Sequence, residues 1–559
     1  MNAQAQFIPS ATTGVDAAAR RFRLLAHRRA EWLRWLAGES QASVIDEIIE
    51  DRDAPEAEAA WTLQQPWVTS WQDKLSAVEE SLLSDTGSPL GRARAIFGLN
   101  QEEINLLEAC AAVAMDPALS KLCAYLQDSP RRAYVTGELA ARLYEQRRYS
   151  HCSTDSALFR WELVHEQQAG PGEPPALSLD PQMREWFGGL VSMPALLAGI
   201  VRPYQPVEYL GRLPVAELAS FVDQQINGDR PRRVRLVIEG ARGSGRRTLA
   251  GAVCARLRLP LLLIDADEIE DREWHRAYLL AQRQAFMEGL ALAWHGDAFA
   301  RRPWPGTLPP FPVQFALVET GCEVTPLAGV LDRRIRVVGL SAEERAAMWH
   351  RYLPESSAWP AGEFGVLAER YPVYPGDIIA AAASGASTAE EAVERVRATS
   401  RGRLGPLAQL LPCTFTWDDL VTTAAMREAI EDLIFEAGHR IPFWEGAEAR
   451  RLFPQGQGLV ALICGPPGIG KTMAAQVIAA TLGYDLFRVD LAAVVSKWVG
   501  ETSQNFERIL SRAAEMNAII FFDECDAVFC KRTSEVRDAQ DKFANTDAAY
   551  MLQAIESYP

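Results

Sequence analysis

The spacing of apolar residues changes along this chain, and each change marks a different kind of structure. Residues 1 to about 18 are small and polar, after which apolar residues recur at helical intervals to about residue 150, broken by turn-forming clusters at Gly87–Gly91 and Ser129–Pro130. Ile104–Met115 (INLLEACAAVAM) is almost wholly apolar and predicts a buried helix; Pro117–Leu126 predicts a second. A third opens at Thr136, a helix-capping residue followed by Glu138, and runs to Arg148. Phe159–His165 then alternates like a strand, QQAGPGEPP turns the chain, and Ala176–Leu179 supplies a returning strand. Three helices and a hairpin predict a winged-helix-like domain over residues 86–200, behind a helical region over 1–85.

From Pro206 the pattern becomes α/β. Arg233–Ile238 predicts a strand, GARGSGRRT a glycine-rich turn, Leu249–Leu257 a helix and Leu261–Ile264 the next strand, with a later strand at Val313–Val318 and a helix over Ser341–Tyr352. This unit spans 206–400, and a Gly- and Arg-rich linker covers 401–414. A second α/β unit fills 415–559, where the helix Thr422–Glu436 leads through Ile441-Pro442 to a strand at Leu459–Ile463. The fold class is therefore two α/β modules in tandem, each a parallel sheet flanked by helices, preceded by an α-rich region with a winged-helix-like domain; the glycine-rich loops described below make them P-loop NTPase modules on this reading.

Composition narrows the functional classes. The 559 residues suggest roughly three to four domains. No window reaches the ~18 to 20 apolar residues of a membrane span, and the N-terminus lacks the apolar core of a secretory signal, so a cytoplasmic protein without a membrane partner is expected. Nine cysteines fall between Cys110 and Cys530 without metal-ligand spacing and read as reduced buried thiols. A formal charge of −16 argues against a surface that tracks nucleic acid. The Arg-rich run Ala19–Trp35 is the local exception. Interleaved with Leu24, Leu25, Trp32 and Leu36, it reads as a solvated amphipathic helix. Arg142, Arg147 and Arg148 would lie on the recognition helix of the winged-helix-like domain, mixed with Glu138 and Glu145, which favours protein binding over DNA binding.

The chemistry concentrates in the second unit. Strand Leu459–Ile463 leads through Cys464 into Gly465-Pro466-Pro467-Gly468-Ile469-Gly470-Lys471-Thr472-Met473, a G-x-x-x-x-G-K-T loop that opens a helix reaching about Leu482. Glycines let backbone N–H groups converge on phosphate oxygens, and the helix mouth adds donors and a positive dipole end. Residues 465–473 are thus expected to bind ATP, Lys471 to contact the β- and γ-phosphates, and the Thr472 hydroxyl to ligate Mg²⁺. Ala518–Phe522 is a buried apolar strand ending in Asp523 and Glu524, 51 and 52 residues beyond Thr472. Asp523 is expected to hold Mg²⁺, and Glu524 to orient and deprotonate the attacking water; Glu524 and Lys471 are the catalytic candidates.

Between these lies Ser496-Lys497-Trp498-Val499-Gly500-Glu501, after a strand at Leu486–Asp490. In order and spacing, GPPGIGKT, KWVGETSQNFERI and AIIFFDECDAVF are similar to AAA+ ATPases. That resemblance implies a first pore loop at Lys497, Trp498, Val499 and Gly500, with Trp498 gripping a protein substrate threaded through a homo-oligomeric, hexameric ring. The first unit resembles a degenerate copy: Arg246 and Arg247 replace the Lys and Thr, His295 and Gly296 follow Leu290–Trp294 where the acids would stand, and Leu331-Asp332-Arg333-Arg334 resembles the arginine-bearing segment that faces a neighbouring subunit. The first unit is therefore expected to be a silent scaffold.

The whole chain resembles bacterial tandem AAA+ ATPases with an N-terminal winged helix, some associated with contractile injection systems. The resemblance is strong over Phe415–Pro559 and weak before it. It implies an ATPase that remodels or assembles a protein complex; the alternatives are a winged-helix DNA-binding ATPase and a non-hydrolysing nucleotide-dependent scaffold. The 145 residues from Phe415 are fewer than the roughly 220 of a complete module. On this reading the second module lacks sensor, arginine finger and lid, and its hydrolysis is expected to be impaired.

Overall fold

A computed structural model describes residues 12–39, 51–150, 152–207, 212–296, 302–306, 308–360, 373–401, 408–445, 458–490 and 518–523, the three residues 553–555, and residues 299, 364, 367, 506, 509, 510, 513 and 525. Among these, no helix is long and apolar enough to cross a membrane.

The N-terminal region is a helical assembly around α1 (Thr12–Glu39), with α2 (Pro55–Leu63), α3 (Val68–Ser84), α4 (Pro89–Phe97), α5 (Gln101–Met115) and α6 (Ala118–Leu126). Helix α5 starts on a reciprocal cap, Asn100 accepting from the Glu103 N–H while the Glu103 carboxylate accepts from the Asn100 N–H. Thr136 caps α7 (Gly137–Ala140), which widens by one turn to Glu145 and stops at Gln146 with φ of 51°, three residues short of the expected end. The strand expected over Phe159–His165 begins only at Val164. Ala157–Arg160 is the short helix α8, and β1 (Val164–Gln167) pairs antiparallel with β2 (Ala176–Leu179). Leu158 and Trp161 are buried three residues apart, a helical interval that the alternating reading overlooked.

Helix α1 overturns the reading of a solvated amphipathic face. Arg21, Arg28 and Arg29 are buried. Glu58, itself only 2% exposed, receives Arg28 Nε at 3.1 Å, Arg29 Nη1 at 3.1 Å and Arg142 Nε at 2.9 Å; Arg21 Nη1 meets Glu108 at 2.7 Å. Arg28 also donates to the Arg142 and Leu143 carbonyls. A buried guanidinium is tolerated only with a partner and filled hydrogen bonds, and the acids that satisfy it come from segments far along the chain. Beside this cluster, Trp32, Trp35, Trp61, Trp67 and Trp71 form a continuous chain of ring contacts 5.0–6.3 Å apart.

The first α/β unit is a six-stranded sheet in the order β3-β5-β6-β7-β4-β8, from β3 (Val201–Pro203), β4 (Arg233–Glu239), β5 (Leu261–Asp265), β6 (Ala291–His295), β7 (Val313–Val318) and β8 (Val330–Arg336). All pairings are parallel except β3 with β5. Helix α9 (Pro181–Phe187) follows the hairpin and packs against α4 and α5, while α10 (Val215–Asn227) and α11 (Arg246–Leu257) cover one face of the sheet through a core that includes Val222, Leu236, Leu249 and Phe315. Helix α12 (Trp274–Glu288) covers the other face and shares one hydrophobic core with the N-terminal region, running from Val15 to Leu327. Arg283 of α12, 1% exposed, joins the two. It donates to Gln182, to the Trp161 and Glu162 carbonyls and to Asp180, the last at 2.9 Å. A small helical layer follows, α13 (Ala342–Tyr352), α14 (Pro375–Ala383) and α15 (Ala389–Arg401), with its own core around Met348, Trp349 and Ile378.

The second unit contains β9 (Gln409–Leu411), α16 (Ala424–Glu445), α17 (Lys471–Leu482), β10 (Asp485–Asp490) and β11 (Ala518–Asp523), with sheet order β11-β10-β9. Two expectations are corrected here. Helix α16 runs through Pro442 instead of ending near Glu436, and Leu459–Ile463 forms no strand. Val460 and Leu462 are 61% and 78% exposed. Apolar, β-prone residues become a strand only when a neighbour takes their backbone N–H and C=O groups. In the first unit β4 has β7 on one side and β8 on the other, whereas no described strand flanks 459–463.

Glu58→Ala leaves three guanidinium groups in a buried site without their shared carboxylate. It should destabilise the N-terminal region by about 3–5 kcal/mol, read in denaturant unfolding followed by tryptophan fluorescence, while Glu102→Ala, at an exposed pair, should change little.

Candidate phosphate-binding site

Two loops of this chain have the same backbone at the mouth of a helix. Before α17, Gly468 and Gly470 have φ of 84° and 93°; before α11, Gly243 and Gly245 have φ of 88° and 103°. A residue with a Cβ is strained at such angles, so glycine at both positions is what lets the chain turn sharply from loop into helix with its amides facing outward. The first glycines also match in role. A Cβ on Gly240 would come within 2.7 Å of Ser244 Oγ, and one on Gly465 within 2.1 Å of Ile469 Cδ1.

In the second loop the Lys471 ammonium folds back over the turn, donating to the Gly465 carbonyl at 2.8 Å and the Pro466 carbonyl at 2.9 Å. Thr472 follows on the first turn of α17. That helix packs on the sheet with Ile478 and Leu482 against Ile519, while Ala475 and Ala479 share a cluster with Phe521. Helix and strand therefore run antiparallel, and the Lys471 end of α17 lies toward the end of β11 that carries Asp523. The Asp523 carboxylate is held by Arg488 at 2.9 Å. Arg488 was not foreseen as a site residue; its signal is a lone cation inside the otherwise apolar centre of DLFRVD. An ammonium and a hydroxyl at glycine-opened amides, with a carboxylate at the end of β11, are the donor types that a magnesium nucleotide takes. Glu524, Lys497, Trp498, Val499 and Gly500 lie outside the described residues.

The first loop carries the same backbone and different chemistry. Arg247 occupies the position of Thr472 and His295 that of Asp523, and the Arg247 Nη2 lies 3.3 Å from the imidazole. Burial, with Arg247 next, pushes His295 down to about 4, so it is neutral at pH 7; Asp265, 3.8 Å away, opposes the shift. Oxygen ligands for a hard cation are replaced here by nitrogen groups, one of them permanently cationic. The loop is also covered. Gly376, at the start of α14, donates its N–H to the Gly243 carbonyl at 2.9 Å, and a Cβ on Gly376 would lie 2.9 Å from the Gly243 Cα. The arginines resembling a subunit-facing segment sit in edge strand β8, where Arg333 pairs with Glu217 over the Phe221 ring and Arg334 pairs with Glu239.

The glycine loop before α17 has the side-chain order of a nucleotide-binding P-loop. Residues 461–558 match the family described as ATPase family associated with various cellular activities (AAA), so this part of the chain carries an AAA ATPase domain. Relatives are AAA-family proteins. Cell division protein C of Sulfolobus acidocaldarius is 34% identical over 125 residues, covering 21% of this chain and 31% of that protein. Peroxisomal ATPase PEX6 of Candida glabrata is 31% identical over 148 residues, 26% and 14% of the two chains. Human spastin is 32% identical over 124 residues, 22% and 19%. The match thus spans less than a third of each of these relatives.

The His295 shift has a sign that can be measured. Above pH ~6.5 the imidazole is neutral folded or unfolded and contributes nothing to pH dependence. As pH falls from there toward about 4, the unfolded chain takes a proton that the folded site refuses, and stability is lost across that window. Histidine NMR titration should find His295 unprotonated at pH 5, and Arg247→Ala should move its midpoint upward.

Proposed function

We propose that this chain is an AAA-type ATPase subunit that couples ATP hydrolysis in its second P-loop unit to remodelling or assembly of a protein complex. The observation that carries this reading is the Gly465–Thr472 loop, with Lys471 folded over its own carbonyls at the end of α17 nearest Asp523. Lys471 would exchange those carbonyls for β- and γ-phosphate oxygens, a stronger charge-assisted contact. Thr472 and Asp523 would hold Mg²⁺, which when bound supplies neutralisation of phosphate charge. Asp523 would leave Arg488 to do so. Glu524 would accept the proton of the attacking water. Lys497–Gly500 would contact a protein substrate, with Trp498 as the gripping side chain in an oligomeric ring. AAA relatives typically act on proteins as oligomers, which supports this part of the reading.

The first unit would serve as a scaffold without hydrolysis, since Arg247 and His295 replace the metal-binding oxygens. In the N-terminal region, a winged-helix-like domain would bind protein. The DNA-binding alternative loses support from the ion pairs: Arg142 is bound to Glu58, Arg147 to Glu102 and Arg148 to Asp51. Phosphate contact would have to break each of them.

Nucleotide binding and turnover test the proposal directly. Lys471→Ala should weaken ATP binding by about tenfold or more, one charge-assisted contact at a minimum. Glu524→Gln should retain binding and lower turnover by roughly 10²-fold. Equal binding and equal turnover in the parent and both variants would overturn the assignment.

A further inference from the structure

We infer that Arg488 is a positioning residue that governs metal entry in the second unit: in the nucleotide-free chain it holds the Asp523 carboxylate and keeps a divalent cation off it. This rests on Lys471, Thr472 and Asp523 forming the nucleotide site proposed above, and it adds an order of events, in which the cation enters with phosphate and not ahead of it. Arg488 acts through Asp523 and needs no contact of its own with the metal.

Strand alternation and register put the guanidinium there. Successive side chains of β10 point to opposite faces of the sheet. Leu486 packs with Ala475 and Ala479 of α17 and with Ile519 and Phe521 of β11, whereas Phe487 and Val489 pack with Phe506, Ile520 and Phe522 on the other face. Leu486 and Arg488 therefore share the face that α17 covers, and Ile519, Phe521 and Asp523 share it from β11. In the parallel register Arg488 is level with Phe521, and Asp523 is two residues farther along that face. A long side chain reaching toward the strand end meets the carboxylate, and Arg488 Nη2 lies 2.9 Å from an Asp523 oxygen.

The pair is neither sealed nor fully solvated, its side chains being 42% and 28% exposed, so a ligand can part it without opening the sheet. Magnesium gives up water reluctantly and is held by one or two carboxylates together with phosphate oxygens. Without phosphate, Thr472 and Asp523 offer one negative charge between them, and Arg488 already balances it. A dication at Asp523 would lie beside a guanidinium that no accessible pH discharges. Phosphate reverses this balance, because its several negative charges outweigh one guanidinium, and Asp523 can then exchange Arg488 for the metal. Charge carries the effect, so a lysine in place of Arg488 keeps it. A pair that only staples β10 to β11 would lower stability when broken and leave metal affinity where it was.

Manganese(II) is the probe, because the free ion is counted by its paramagnetic resonance signal. Titrated without nucleotide into the full chain, Arg488→Ala and Arg488→Gln should each bind manganese about tenfold more tightly than the parent. Arg488→Lys should bind it as weakly as the parent, and adding Asp523→Asn to Arg488→Ala should remove the gain. Equal affinity in the parent, Arg488→Ala and Arg488→Gln would overturn the inference, as would a gain that survives Asp523→Asn or appears in Arg488→Lys. Arg488→Gln, which keeps most of the side chain's length, decides the matter should Arg488→Ala not fold. ATP binding by the parent, measured alongside, separates the two readings: ATP bound with no manganese gain in the variants sinks the role of Arg488 alone, whereas no ATP bound sinks the nucleotide site and this role with it.

Discussion

A helix that opens on a residue of strongly positive φ favours glycine there, and among the described residues this constraint is met at Gly245 and at Gly470. In both places it turns a loop into a helix whose first amides lie at the helix mouth, which is the physical requirement for cradling phosphate. The backbone therefore does not distinguish the two units; the side chains that follow do. Lys471 and Thr472 offer an ammonium and a hydroxyl. Arg246 and Arg247 offer guanidinium groups too large and too cationic to share a site with a metal ion.

Charge placement elsewhere follows an equally strict rule. The N-terminal helices bury arginines because carboxylates distant in sequence meet them, Glu58 for Arg28, Arg29 and Arg142, and Glu108 for Arg21. Arg283 applies the same rule between regions, using Asp180 and three further acceptors to join α12 to the hairpin and α9. The result is an N-terminal region continuous with one face of the first sheet. Its position relative to that sheet is set by a buried guanidinium and a shared apolar core, not by a tether.

Much of this was legible from spacing alone. Strands β2, β7 and β11, the buried helix α5 and the start of α17 fall where periodicity and capping put them, because each is decided by residues close in sequence. Failures occur where distant residues decide. The Arg-rich face of α1 looks solvated until Glu58 and Glu108 are placed beside it. Leu459–Ile463 has a strand's composition, yet composition does not supply a partner for its hydrogen bonds. Arg488 is visible as a cation in an apolar strand, but its hold on Asp523 depends on the parallel register of β10 with β11.

The two units also touch at the end of one helix. Arg397, on the last helix of the first unit, donates to the Gly483 carbonyl at the C-terminus of α17. A cation there complements the negative end of the helix dipole, while phosphate would complement the positive end twelve residues earlier, at the Lys471 turn. A bound phosphate and Arg397 would thus act on opposite ends of one helix dipole. The first unit's own glycine loop is held by the Gly376 N–H on the Gly243 carbonyl, so the two loops differ in what lies over the same backbone turn.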